Sequence, residues 1–146
     1  MKINLGSGKD IKHSYTNVDY VKHEGVDIVH DLEVYPYPFK TGSADEILMS
    51  HVLEHLVYPL KALIECHRIL KPRGLLTISV PHKNHPSAYS LDHKKLYNEN
   101  SLTIVEALNL FDIISIKINR SHKIGRKKEV VWTFRNRSGE VIRLGK

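Results

Sequence analysis

Lys2-Ile3-Asn4-Leu5-Gly6-Ser7-Gly8-Lys9 sets an apolar pair, Ile3 and Leu5, directly ahead of a Gly-x-Gly turn. Alternation of this kind predicts a short strand. Glycine after it lets the backbone turn with positive φ and approach a ligand with no side chain between. A strand ending in this way suits a nucleotide-type cofactor lying across strand ends. Four later strand ends also finish in polar or turn-forming residues that could face one crevice.

Outward from that turn, Thr16 to Tyr20 reads as a second strand and Val26 to Leu32 as a third, both ending in an acid. A dinucleotide fingerprint asks for a third glycine, a helix, and an acid about 20 residues further on. Here Ile11 stands where the third glycine belongs, and Asp19 arrives too soon after Gly8 for a phosphate-cradling helix. The implied cofactor therefore carries no pyrophosphate held on a helix N-terminus, which argues against NAD and FAD. Only Val21 to Gly25 separates the second strand from the third. Parallel strands ordinarily need a crossover of a dozen or more residues, so the expectation is a trimmed sheet with part of one face thinly covered. An irregular hairpin is the alternative.

The chain has 146 residues, enough for one domain spanning 1–146 with a real core. Its 22 Lys+Arg against 16 Asp+Glu give a net charge of +6, which permits an anionic partner. The densest basic run, Arg126-Lys127-Lys128, reads as a solvated hairpin tip more than as a nucleic-acid footprint, and nucleic acid is not excluded. A single cysteine, Cys66, excludes an internal disulfide and a Cys-rich zinc site and fits a reducing compartment. No signal peptide precedes the first strand, and no apolar run approaches the ~18–20 residues of a membrane span. The expectation is a soluble, cytoplasmic protein with no membrane association.

Further along, Tyr35 to Phe39 is an extended, proline-spaced connector, and Asp45 to Ser50 a buried strand that Ser50 could cap onto His51-Val52-Leu53-Glu54-His55-Leu56. Pro59 opens a helix whose Leu60, Leu63, Ile64, His67 and Leu70 share one face. Lys71-Pro72-Arg73-Gly74 reads as a turn, and Leu75 to Val80 as the strongest strand, stopped by Pro81. Residues 82–98 form a long polar loop, a feature of functional segments. Ser101 to Leu110 reads as a helix, Phe111 to Asn119 and Val130 to Asn136 as an antiparallel pair, and Asn136 to Gly139 as a turn into a short last strand or tail.

Taken in order, Leu5-Gly6-Ser7-Gly8, Asn17-Val18-Asp19, His30-Asp31-Leu32, Ser50 to His55, Leu70 to Gly74 and Val80-Pro81-His82 resemble class I S-adenosylmethionine (SAM)-dependent methyltransferases of the small type 11 branch. The resemblance runs from about Lys2 to Asn136. It implies an α/β, Rossmann-like, mostly parallel sheet of order 3-2-1-4-5-7-6 with the last strand antiparallel, truncated and with reduced helical cover. It also implies SAM as cofactor and S-adenosylhomocysteine as product. Leu5, Gly6, Ser7 and Gly8 would approach the methionine part of SAM, and Asp19, with Tyr20 beside it, would take the ribose hydroxyls. Asp31 would meet the adenine amino group with Leu32 against the ring, and Ser50 and His51 would line the sulfonium. The family's helices before and after the first strand do not fit here, Arg73 replaces a usual Gly and Ala44 a usual aromatic. The leading segment often closes over the cofactor, so weak SAM binding or dependence on another chain is part of the expectation.

Methyl transfer from a sulfonium is an in-line displacement, so positioning and a dry site supply most of the catalysis. A general base helps when the acceptor is a hydroxyl, and histidine suits that role near neutral pH. Among ten histidines, His51, His55 and His82 follow strand ends and are the catalytic candidates, with His93 on the long loop. Glu54 reads as holding a neighbouring His or backbone, while Cys66 and His67 read as packing. His51-x-x-Glu54-His55 also matches the H-x-x-E-H pattern of inverted zinc peptidases. The short helix and Pro59 count against that rival, and the expectation is no metal. A non-catalytic SAM-binding or regulatory module is the other alternative. No Asn/Asp-Pro-Pro-aromatic run follows the fourth strand, which argues against methylation of exocyclic base nitrogens. The expected acceptor is a small hydroxylated or carboxylated molecule, a saccharide among the candidates. Homodimerisation through the thinly covered sheet face is expected as well.

Overall fold

The computed structural model describes residues 1–120 and 127–138. Arg126 of the basic run, and the turn at Gly139 with the tail after it, lie outside the described residues. Seven strands, β1 (Lys2–Leu5), β2 (Thr16–Asp19), β3 (Ile28–Val29), β4 (Ala44–Ser50), β5 (Leu70–Pro81), β6 (Phe111–Arg120) and β7 (Lys127–Asn136), form one sheet of order β3-β2-β1-β4-β5-β7-β6. The first five pair in parallel, and β7 lies antiparallel between β5 and β6. The sequence order reverses between β1 and β4, which opens a crevice at the carboxyl ends of those strands.

β3 is much shorter than the Val26 to Leu32 expected, yet it pairs in parallel with β2 through Val18↔Ile28 and Asp19↔Val29. The hairpin alternative is thereby excluded. Asp27 explains how so short a connector suffices: its carboxylate accepts the Asn17 N–H at 2.7 Å, and its own N–H donates to the Asn17 carbonyl at 2.9 Å. The place of the missing helix after β1 is taken by residues 9–15, which a buried amide network holds to the sheet. Asn4 Nδ2 donates to Asn17 Oδ1 at 3.0 Å and to the Asp10 carbonyl at 2.9 Å, while Asn17 Oδ1 accepts the Lys12 N–H at 2.9 Å.

Period-2 alternation sorts the strand residues onto two faces. Ile3, Leu5, Ile47, Met49, Leu76, Ile78, Val80, Val130, Trp132 and Phe134 are completely buried on one face. Each contributes about 1.5–3 kcal/mol of burial. That face is covered by α1 (Pro59–Ile69) and the single turn α2 (Ile104–Ala107). Lys2, Leu48, Ser50, Leu75, Thr77, Ser79 and Val131 alternate onto the other face and stay at least partly exposed. Thin cover is thus confirmed, with a surface more polar than expected, because Ser and Thr occupy the central positions.

α1 buries Ala62, Leu63, Cys66 and Ile69, so its inward face is rotated from the one expected and leaves Ile64 exposed. The expected Lys71-Pro72-Arg73-Gly74 turn is a bulge inside β5. The register jumps there from Ala44↔Leu70 to Glu46↔Leu75, and Arg73 adopts φ 67°. α2 is shorter than the Ser101 to Leu110 helix expected, and Asn109 ends the segment with φ 57°. Asn136, at the end of β7, closes the C-terminus of α1. Its Nδ2 donates to the carbonyls of His67, Leu70 and Lys71 at 3.2, 3.0 and 3.1 Å, and its Oδ1 lies 2.6 Å from His67 Nδ1. Among the described residues no helix is long and apolar enough to cross a membrane.

Candidate functional site

The glycine turn leaves β1 with Gly6 at φ 66° and Gly8 at φ 48°. The Ser7 N–H donates to the Val18 carbonyl at 2.9 Å, tying the turn to β2. A Cβ on Gly6 would sit 2.3 Å from Val52 Cγ2, whereas one on Gly8 would meet nothing within 4 Å. Gly6 therefore answers to packing, and Gly8 faces open space. Asp19 ends β2 at 7% exposure, with Oδ2 accepting the Gly8 N–H at 2.8 Å and Oδ1 the Val21 N–H at 3.1 Å. A carboxylate has about four acceptor positions, so two remain for ligand hydroxyls. Tyr20 stands exposed next to it.

Asp31 is exposed and braces its own turn through the Glu33 N–H at 2.9 Å, while Leu32 is buried in the core. The geometry suits a SAM-like ligand: Gly8 opens on free space, Asp19 keeps acceptor positions, and the buried Ser7 hydroxyl has no partner. On the uncovered face a cavity of about 270 Å³ lies among Asn4, Leu48, Ser50, Thr77, Ser79 and Glu129.

At the end of β4, Ser50 Oγ lies 3.0 Å from Ser79 Oγ, and the His51 N–H donates to the Ser79 carbonyl at 2.9 Å. His51 takes φ 54°, a left-handed backbone unusual for a side chain of its size. Its ring is 49% exposed between two carboxylates, with Nδ1 3.4 Å from Glu54 Oε1 and Nε2 3.3 Å from Glu129 Oε2. Glu54, and secondarily Glu129, hold the imidazole pKa above its ordinary 6.5 against the opposing effect of burial. Glu54 itself is 1% exposed, and neither of its oxygens makes a hydrogen bond.

The other histidine candidates part company. His55 points its Nδ1 at Asp92 Oδ2, 3.2 Å away, and its ring meets His93 edge-on with centroids 4.7 Å apart. His82 is 1% exposed, with Nε2 3.0 Å from Glu99 Oε2 and Nδ1 accepting the Asn84 N–H at 3.0 Å. Both its nitrogens are committed to the loop, away from any open surface. The H-x-x-E-H pattern does not form the required helix: only Leu53–His55 make a 3-10 turn, and His51 precedes it in left-handed backbone. Sequence reading missed Glu129 and the Asn4–Asn17 network. The register Pro81↔Glu129 is what brings that acid to the crevice.

The sheet order, the glycine turn and the acid ending β2 define a class I SAM-dependent methyltransferase fold. Residues 7–78 match the family described as a methyltransferase domain. That match spans just under half of the chain, and the fold around it is that of the class I SAM-dependent methyltransferases. Solved structures agree on the fold. A SAM-dependent methyltransferase from Archaeoglobus fulgidus superposes with TM-score 0.74 at 16% identity, covering 92% of this chain and 85% of that one. The 1,6-didemethyltoxoflavin N1-methyltransferase of Burkholderia thailandensis, with its substrate and S-adenosylhomocysteine bound, gives TM-score 0.71 at 19% identity, covering 94% and 71%. A Haloferax volcanii methyltransferase complex with a methyltransferase activator gives 0.70 at 13%, covering 95% and 82%. No curated protein sequence matches the chain.

Proposed function

We propose that the chain, acting as a single cytoplasmic domain over 1–146, methylates a small hydroxylated or carboxylated acceptor, with His51 as general base. SAM supplies the electrophilic methyl group and leaves as S-adenosylhomocysteine. In this reading Leu5 to Gly8 cradle the methionine part, Asp19 with Tyr20 takes the ribose, and Asp31 and Leu32 border the adenine. Ser50 and His51 stand where the methyl group is passed. The observation that carries the proposal is the placement of His51. A half-exposed imidazole at the β4 end, between Glu54 and Glu129, is oriented by one carboxylate and stabilised by both once it has taken a proton. His55, with Nδ1 on Asp92, borders the same end, and His82 serves as a clasp between β5 and the following loop.

Calorimetry with S-adenosylhomocysteine tests the cofactor half, and turnover on a panel of hydroxy and carboxy acceptors tests the other. His51→Gln should lower kcat by about 10²–10⁴-fold while S-adenosylhomocysteine still binds. Failure to bind at millimolar concentration would refute the proposal for the lone chain. A second reading, a SAM-binding module completed by another chain, is favoured by the sheet face left without helices. The Haloferax volcanii methyltransferase, of the same fold, is held by an activator. A second copy of this chain, packed on that face, is the simplest completing partner.

A further inference from the structure

Glu54, His55 and His93 form a cluster that the proposed methyl transfer does not use as a unit. One ligand-type atom from each lies within 4.8 Å of the other two. The contacts around the cluster fix which ring nitrogens are available. His55 Nδ1 is 3.2 Å from Asp92 Oδ2, and His93 Nδ1 is 3.2 Å from the Ala88 carbonyl. A carbonyl oxygen can only accept, so His93 carries its proton on Nδ1 and presents the lone pair of Nε2. The Asp92 carboxylate sets the same tautomer for His55. This is the arrangement in which metal-binding histidines are held, the far nitrogen donating to a carboxylate or a carbonyl.

The second observation is independent of the histidines. Glu54 is 1% exposed, and both its oxygens are buried with no hydrogen bond. His51 Nδ1 approaches Oε1 only to 3.4 Å. A buried carboxylate left this way is costly unless paired or coordinated to a cation. The main chain brings the parts together, since the Lys94 N–H donates to the Glu54 carbonyl at 2.8 Å.

We propose that Glu54, His55 and His93 bind a zinc-class divalent cation, clasping the loop after β5 to the 3-10 turn after β4. Two imidazoles and one carboxylate are a zinc donor set, and three protein ligands leave one coordination position open. Tetrahedral zinc with bonds of about 2.0–2.2 Å places its ligand atoms roughly 3.4 Å apart. Binding therefore needs a closing movement of about an ångström, which the partly buried His55 and His93 can make toward the buried Glu54. The site shares Glu54 and His55 with the H-x-x-E-H pattern but replaces His51 by His93 from a distant loop. It does not depend on the methyl-transfer reading, because it is loaded and measured without SAM.

The test is titration of chelator-stripped full chain with Zn²⁺ alone against a chromophoric competitor. One equivalent should bind, with affinity reduced about 100-fold or more in His55→Ala and His93→Ala, and about tenfold in Asp92→Asn. His85→Ala, outside the cluster, and His51→Asn should both retain binding. Zinc-edge X-ray absorption of the loaded wild-type chain reads the ligands without any substitution and should give two imidazoles with oxygen. Three results would overturn the assignment: no saturable binding, binding unaffected by His93→Ala, or loss of binding in His51→Asn. A sulfur ligand in the absorption spectrum would overturn it too.

Discussion

Alanine at Gly6 and at Gly8 should separate packing from ligand access within one turn. Both positions have positive φ, 66° and 48°, and forcing a Cβ there costs about 1–2 kcal/mol. At Gly6 the new methyl would lie 2.3 Å from Val52 Cγ2, and relieving such overpacking costs about 1–3 kcal/mol more. Gly6→Ala should therefore lose about 2–5 kcal/mol of stability, and Gly8→Ala only about 1–2 kcal/mol. For a domain of this size that is a fall in Tm of roughly 6–20 °C against roughly 3–8 °C. The order reverses for the ligand. The Gly8 methyl projects into space with nothing within 4 Å, where the proposed reading seats the cofactor. Gly8→Ala should thus weaken S-adenosylhomocysteine binding by about tenfold or more, the loss of one good contact of about 1.4 kcal/mol. Urea denaturation and calorimetry on both variants read the two effects. Equal stability losses, or wild-type affinity in Gly8→Ala, would refute the reasoning.

Asp19→Asn puts an amide where two N–H donors converge, and it should lower S-adenosylhomocysteine affinity together with stability by about 2–4 kcal/mol, read by calorimetry and denaturation; an unchanged affinity would mean the ribose lies elsewhere. Glu54→Gln removes the main cause of the raised His51 pKa. The base form then appears at lower pH, so the acid limb of the kcat/KM profile should move down. In the wild type, the stability linked to His51 is full below its unfolded value of 6.5 and fades as pH rises through the higher folded value, a trend that Glu54→Gln should flatten in pH-dependent denaturation. Burial pushes the Cys66 thiol up to about 12, so native protein should resist thiol reagents until it unfolds, whereas fast labelling would show the core open. Self-association at micromolar concentration is expected in light scattering, and a clean monomer would remove the proposed second copy.

The glycine turn, the acid after β2 and the antiparallel pair β6–β7 were legible because each is local or follows from alternation, whereas the order of strands came only with the family resemblance. The span of β3 was not, since a sequence run of apolar and acidic residues does not reveal that Asp27 is diverted to the Asn17 backbone. Helix α1 is legible from its periodicity, but its inward face is not, since Ala62, Leu63, Cys66 and Ile69 turn inward and leave Ile64 exposed. The Lys71 to Gly74 segment has turn chemistry, yet pairing with β4 on either side absorbs it as a bulge. At the site, His51 and Glu54 were readable from spacing. Glu129 was not, because its place depends on strand register, and His93 was readable only as a residue of the long loop, whose path sets it beside His55.

Asn136 sits at the far end of the described chain, yet it supplies the hydrogen-bond donors for three carbonyls at the end of α1. Because β7 also inserts between β5 and β6, the domain cannot close on the ribosome in the order in which it is made. Nascent chains stalled before this residue should stay protease-sensitive, and the crevice should assemble only after β7 clears the exit tunnel.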